Sequence, residues 1–189
     1  MEYQIMKFGK SKNKISIVHL RKPLKNGLAG FVSSSYFKNN LPIVVDDLID
    51  KEKDYDFACL AFSKDKKCPR IMMTRNVFYD IKKGLPYARM ILFHEIGHYV
   101  FRDSLNVSDE TEEIRLSDVK KGIISEQELV ADKFAVKYLG LKSVIEGLEE
   151  LEEIIQSEYS ECDEVSKEIT LTEIKLRIKT LIKRENKNG

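Results

Sequence analysis

The spacing of apolar residues changes along the chain, from short runs in the first half to a helical period in the second. Four short apolar runs, bounded by Lys, Asn, Gly and Pro, predict strands at residues 14–20, 41–45, 57–62 and 70–74. A polar loop at residues 63–69 separates the last two runs and predicts a hairpin. Pro69 then stands at the start of the second strand, where a missing N–H is tolerated.

The second half of the chain predicts four helices. From Pro86 to Arg102 apolar residues lie nearly all round the helix, which is typical of a central, buried helix. Gly84 and Pro86 favour a helix start at this point, because proline suits the first helical turn. Further helices are predicted at residues 125–139, with Gly140 as the C-cap, from residue 142 onwards, and at about residues 166–184. Strands followed by helices predict an α+β fold.

The composition is that of an ordinary globular domain. The chain has 189 residues and a mass of 21.9 kDa, which is long enough for one domain with a core. We find no apolar window long enough to cross a membrane and no secretory signal at the N-terminus. Three widely spaced cysteines (Cys59, Cys68 and Cys162) do not suggest a disulfide framework, so we expect reduced thiols and a cytoplasmic protein.

Charge is unevenly distributed, although the net charge is only +1. Residues 1–40 carry many lysines and arginines against the single acidic Glu2, whereas residues 146–164 are strongly acidic. Such asymmetry can mark a surface that binds a partner. No helix-turn-helix or interleaved aromatic pattern accompanies the basic segment, so direct nucleic-acid binding is not expected.

The predicted central helix carries the sequence His94-Glu95-x-x-His98. Residues four apart lie on one helix face, so the two imidazoles can bind a single zinc ion. Glu95 lies about 100° further round the helix, where it can take a proton from an attacking water without being a ligand. The alternative is a metal-free buried helix with two core histidines. That alternative would bury three polar groups without evident partners, which costs free energy.

A catalytic zinc site needs a third protein ligand. The remaining histidine, His19, lies far upstream in a basic, strand-like segment. A closer source is the helix predicted at residues 125–139, in which Glu128 and Asp132 are one turn apart. Glu128 can ligate the metal, while Asp132 can accept the second N–H of a ligating histidine.

The start of that helix has a second interpretation. Ser125 and Glu128 fit a capping box, in which the glutamate folds back to the amide of the N-cap residue. The small Ala131 and Ala135 favour the metal-ligand interpretation, because they let this helix approach another helix closely.

With His94-Glu95-x-x-His98 and, thirty residues on, the run ELVADKFA at residues 128–135, the sequence resembles the gluzincin metallopeptidases. More narrowly, it resembles the ImmA/IrrE family of cytosolic zinc proteases, whose active-site helix matches the run MILFHEIGHY at residues 90–99. The chain departs from the family pattern at Val130, where Glu is common, and at Asp132, where Asn is common. Neither departure removes a ligand.

The resemblance covers about residues 57–140 and implies a zincin-like fold for this catalytic core. We therefore expect a single domain, with a basic strand-and-loop region at residues 1–56 and a helical extension at residues 141–189. The resemblance also implies a strand that runs along the cleft and pairs with extended substrate at an exposed sheet edge, for which Arg70–Thr74 is our candidate.

The resemblance implies that Zn²⁺ is held by His94, His98 and Glu128, with Glu95 as the general base. The expected function is site-specific cleavage of a cytosolic protein, for which a helix-turn-helix repressor of a phage or mobile element is one candidate substrate. The alternative is a non-catalytic, zinc-bearing protein-interaction module. Oxyanion stabilisation has several candidates and nothing in the sequence selects among them: Tyr99, Tyr138, Tyr159 and Arg89. The oligomeric state is not predicted.

Overall fold

A computed structural model describes residues 3–9, 14–25, 27–46, 57–61, 68–101, 117–158 and 164–188. Six strands form one sheet: β1 (Tyr3–Phe8), β2 (Ile15–Leu20), β3 (Leu28–Ser34), β4 (Leu41–Val45), β5 (Ala58–Ala61) and β6 (Arg70–Met73). The longer helices are α1 (Arg75–Lys83), α2 (Pro86–Phe101), α3 (Glu126–Leu139), α4 (Leu141–Glu158) and α5 (Glu164–Asn188). A short helical turn occupies residues 117–120. The predicted α+β fold is confirmed.

The sheet is mixed, with the strand order β1-β2-β3-β4-β6-β5. Neighbouring strands are antiparallel except β4 and β6, which are parallel. Alternate side chains of β2 are buried, so Ile15 and Ile17 belong to the core while Ser16 and Val18 are half-buried. Only one face of the sheet is therefore fully buried in the core.

All four predicted strands are present, and β5 and β6 pair antiparallel as the hairpin prediction requires. Residues 63–67 of the predicted connecting loop, and residue 62 at the end of the predicted strand, lie outside the described residues. The sequence did not indicate β1 or β3. β3 contains Gly30 and two serines, which resemble loop punctuation. The glycine is needed because a Cβ there would lie 2.2 Å from the carbonyl oxygen of Val18 on β2.

The prediction that residues 70–74 form the exposed edge strand is wrong. β6 lies between β4 and β5, so strands pair with it on both sides. Among the described strands, β5 is the one at this edge of the sheet. A hairpin can join a sheet through either of its strands, and the sequence of the two strands does not show which one becomes the inner strand.

Helix α2 is the central, buried helix that its apolar residues predict. It packs against α1, α3, α4 and β5. Its start is defined by Gly84, which ends α1 in the left-handed conformation at φ 88°, followed by Pro86 as the first residue of α2. The Glu150 carboxylate of α4 accepts a hydrogen bond from the Tyr87 backbone N–H, in the first turn of α2, at 3.0 Å.

The other predicted helices are also present, and α5 is longer than predicted at both ends. Helix α1 was not predicted from the sequence; its N-cap is Thr74, whose side chain accepts a hydrogen bond from the Val77 backbone N–H. None of the described helices combines the length and the apolar character needed to cross a bilayer.

Candidate metal centre

Helix α2 places His94, Glu95 and His98 together on its inner surface. The two histidines are one helical turn apart, and their Nε2 atoms lie 3.0 Å from each other. His94 and Glu95 are buried, and His98 is partly exposed. Each of the three residues offers a ligand atom, and these atoms all lie within 4.8 Å of one another, so the group can hold a metal ion.

Helix α3 brings the Glu128 carboxylate to the same point. One of its oxygens lies 3.0 Å from Nε2 of His94, and the other lies 3.2 Å from Nε2 of His98. Ligands at about 2.0–2.1 Å from a tetrahedral zinc ion stand roughly 3.3 Å from one another. The distances from the Glu128 carboxylate to the two imidazoles are therefore close to those between ligand atoms of one tetrahedral metal ion.

The start of α3 combines a cap with this donor. Ser125 is the N-cap, and its hydroxyl accepts a hydrogen bond from the Glu128 backbone N–H at 3.3 Å. The Glu128 carboxylate, however, points to the two histidines and does not return to the cap as a capping box would require. The backbone of Glu128 thus takes part in capping, while its carboxylate remains available to a metal.

Close approach of α2 and α3 is what lets Glu128 reach the histidines. A Cβ on Gly97 would lie 2.8 Å from Cα and 3.0 Å from the carbonyl oxygen of Ala131, so only glycine fits at this contact. Ala131 and Ala135 are fully buried, as expected of small residues at a close helix contact. Glu128 lies almost one turn before Ala131 on α3. The backbone contact at Ala131 therefore also fixes the position of Glu128 relative to the two histidines.

Asp132 lies directly behind His94. It is fully buried, and its Oδ1 is 2.9 Å from Nδ1 of His94. Burial alone would raise the pKa of Asp132, but Arg177 and His94 outweigh burial and bring this pKa to about 2. Because an ionised carboxylate can only accept, Nδ1 of His94 carries the hydrogen and Nε2 faces the Glu128 carboxylate.

The ionisable groups of the centre strongly perturb one another. Burial and Arg177 lower the pKa of His94, but Glu128 and Asp132 raise it more, so it ends above its usual value. Burial raises the pKa of Glu128, yet the histidines and Arg177 bring it well below its usual range. For Glu95 burial dominates, and its pKa is raised. A carboxylate with a raised pKa is a stronger base than an ordinary carboxylate.

The edge strand β5 passes beside this centre. The backbone N–H of Leu60 in β5 donates a hydrogen bond to the Glu95 carboxylate. The strand that lies beside the candidate general base is therefore β5, and not the strand at residues 70–74 that the sequence suggested.

Arg177 of α5 belongs to this centre and was not predicted from the sequence. Its Nε donates to Oδ2 of Asp132 at 2.9 Å. Arg177 lies between Ile174 and Leu181, which are both buried, whereas Ile182 further along the helix is 43% exposed. A single arginine at helical spacing between buried apolar residues was the signal that could have identified it.

The other candidate residues lie elsewhere. His19 is buried in β2, and neither ring nitrogen has a hydrogen-bond partner among the described residues. Tyr138 donates a hydrogen bond to the Tyr36 hydroxyl at 3.1 Å, and Tyr99 packs edge-on against Phe37. The Arg89 guanidinium lies against Gly84. Tyr159 and Cys162 fall outside the described residues. No residue is therefore assigned to oxyanion stabilisation.

Comparison with protein-family models, with curated proteins and with solved structures finds no match for this chain. Membership of the ImmA/IrrE family stays a prediction from the two motifs. Function is therefore inferred from the geometry and chemistry of the site itself.

Proposed function

We propose that this protein is a zinc-dependent endopeptidase with a zincin-like active site. One observation carries the proposal: two imidazoles and a carboxylate from two helices converge at 3.0–3.2 Å from one another, with Glu95 beside them. Two histidines and a glutamate are a donor set that catalytic zinc sites use, with the fourth position left open.

The residues of the centre would have separate roles in metal binding. His94, His98 and Glu128 would hold the metal, and Asp132 would keep His94 in the orientation and tautomer that metal binding needs. Bound zinc supplies Lewis acidity, which polarises the substrate carbonyl and makes water a better nucleophile.

Glu95 would act as the general base and then as the general acid. It accepts a proton from the water whose oxygen attacks the carbonyl carbon. It returns that proton to the amide nitrogen when the C–N bond breaks, so that the amine leaves neutral. The raised pKa of Glu95 supports this role, because a stronger base accepts the first proton more readily.

The substrate class we propose is an extended segment of a protein chain. β5 is at the sheet edge and contacts Glu95 through Leu60, so a peptide added alongside β5 would pass close to the general base. Main-chain pairing with a sheet edge holds an extended peptide largely independently of its sequence. A cytosolic helix-turn-helix repressor remains the candidate substrate that the family resemblance suggests.

The test is the substitution Glu95→Gln, with Glu126→Gln as the matched control. Glu126 lies on α3, is exposed and loses the same charge. We expect both variants to bind one zinc ion per chain. Cleavage of a peptide library should fall about 10²–10⁴-fold in Glu95→Gln and stay unchanged in the control.

Two results would contradict the proposal. Wild-type protein that contains no zinc, and takes up none when zinc is added, would exclude the metal centre. Zinc binding with equal cleavage by wild type and Glu95→Gln would exclude the role of Glu95. Zinc binding without cleavage of any peptide or candidate repressor would favour the non-catalytic interaction module.

A further inference from the structure

Helix α5 places the buried guanidinium of Arg177 beside Asp132, next to the metal centre. Arg177 is only 9% exposed and lies on the same side of α5 as Ile174 and Leu181, which are also buried. The packing of these apolar neighbours fixes the helix, and the long side chain of Arg177 then extends to α3. Burying a guanidinium is costly unless charged groups pair with it.

The guanidinium contacts three ionisable side chains of the metal centre: Asp132, Glu128 and His94. It holds both oxygens of Asp132, with Nε at 2.9 Å from Oδ2 and Nη2 at 2.5 Å from Oδ1. Its Nη1 lies 3.5 Å from Oε2 of Glu128, and its Nη2 lies 3.0 Å from Nδ1 of His94.

This two-point contact restricts Asp132 in a way that a single hydrogen bond does not. A planar guanidinium that holds both carboxylate oxygens fixes the plane of the carboxylate as well as its position. The Oδ1 atom that Arg177 holds is also the atom that faces Nδ1 of His94. The orientation of the imidazole therefore depends on the arginine through the aspartate.

We propose that Arg177 is a positioning residue of the metal centre, which holds Asp132 as the acceptor for His94 and thereby makes α5 part of the site. This inference rests on the proposed zinc site. It also accounts for Asp132, because a fully buried carboxylate needs a countercharge, which Arg177 supplies.

The test is the zinc affinity of folded protein, measured by competition with a chromogenic chelator. We expect Arg177→Met to bind zinc about 10–100-fold more weakly than wild type, the usual cost of losing a partner of this kind. Arg177→Lys should recover part of the loss, because an ammonium group keeps the charge without the two-point contact. Lys179→Met removes the same charge from an exposed position on α5 and should leave the affinity unchanged.

A double variant separates positioning from general stability. In Asp132→Asn/Arg177→Met the amide oxygen can accept from His94 without a countercharge. We expect this variant to bind zinc more tightly than Arg177→Met. Equal melting temperatures of the two metal-free proteins would show that the difference in affinity does not come from stability. It also provides the measurement if Arg177→Met alone does not fold, in which case the double variant should fold and bind zinc.

The outcomes are distinguishable. Equal or tighter zinc binding by Arg177→Met would overturn the positioning role and leave the zinc proposal intact. Weaker binding without recovery in the double variant would show that Arg177 does not act through Asp132, and would overturn the inference too. Failure of wild type to bind zinc would overturn the proposed function, and this inference with it.

Discussion

Replacing Gly97 by alanine tests whether the contact between α2 and α3 sets the geometry of the metal centre. The added Cβ would lie 2.8 Å from Cα of Ala131, 3.0 Å from its carbonyl oxygen and 3.1 Å from Cβ of Phe134. Two of these atoms belong to the backbone of α3, and none is the end of a flexible side chain. The clash can be relieved only if the two helices move apart.

The size of that movement follows from the contact distances. Carbon atoms in ordinary contact are about 3.5–4.0 Å apart, so α3 must shift by roughly 0.7 Å or more. Glu128 moves with α3, and its present separations of 3.0 and 3.2 Å from the histidines would grow to about 3.7–3.9 Å. These separations exceed the roughly 3.3 Å between ligand atoms of a tetrahedral zinc site.

The effect on stability should be smaller than the effect on the metal. Alanine gains about 1 kcal/mol over glycine inside a helix, whereas overpacking costs about 1–3 kcal/mol, so the net loss should not exceed ~2 kcal/mol. We expect zinc affinity to fall at least about tenfold, which corresponds to ~1.4 kcal/mol of binding free energy.

The control is Gly147→Ala, at the contact between α4 and α2. A Cβ there would lie 2.8 Å from Cβ of Met90 and 2.9 Å from the carbonyl oxygen of Pro86, a similar clash away from the donor residues. Melting temperature and zinc competition are measured for both variants. Comparable losses of stability with weaker zinc binding only in Gly97→Ala are expected. Equal zinc affinity in the two variants would refute the reasoning.

Two further predictions concern the fold away from the metal. Thr74→Ala should lower the free energy of unfolding by about 1 kcal/mol in urea titrations, because α1 loses its N-cap; Thr74→Ser should restore it, and an unchanged midpoint for Thr74→Ala would contradict the cap. Burial and the charge of Lys82 lower the pKa of His19 from 6.5, so the unfolded chain binds a proton more readily than the folded protein does. The free energy of unfolding therefore decreases as the pH falls below 6.5. His19→Leu should therefore lose less stability than wild type between pH 8 and pH 5, and parallel pH profiles would exclude this contribution.

The spacing of apolar residues predicted most of the strands and helices, because the buried face of each element determines where apolar residues stand in the sequence. α2 is apolar nearly all round, and such a helix has no stable place except at the centre of the fold. Likewise, His94 and His98 share a face because of their spacing alone, whatever packs around them. α1 was missed although Val77, Phe78 and Ile81 lie at helical spacing between the caps Thr74 and Gly84. β1 gave a weaker signal. The two outer residues Tyr3 and Ile5 of β1 are at least half exposed, so burial leaves no clear alternation in that strand.

Long-range relations were beyond a single sequence for a different reason. The position of β5 outside β6 depends on which strand of the hairpin pairs with β4, and both strands are short and apolar. The role of Arg177 depends on where α5 docks, 45 residues after Asp132 along the chain. The position of β5 has no local sequence pattern that predicts it. For Arg177 the one local signal is an arginine at helical spacing between apolar residues.

The expected boundary near residue 140 does not separate the metal centre from the rest of the chain. α4 packs against α2 and contains Val144, Leu148 and Ile155, all fully buried. Its Glu150 accepts a hydrogen bond from the Tyr87 backbone N–H at the start of α2. α5 then supplies the countercharge for Asp132. The helix that carries both histidines and the aspartate that orients one of them thus depend on residues after 140. The motifs on α2 and α3 contain the candidate ligand atoms. The arrangement of these atoms as one site also requires α4 and α5.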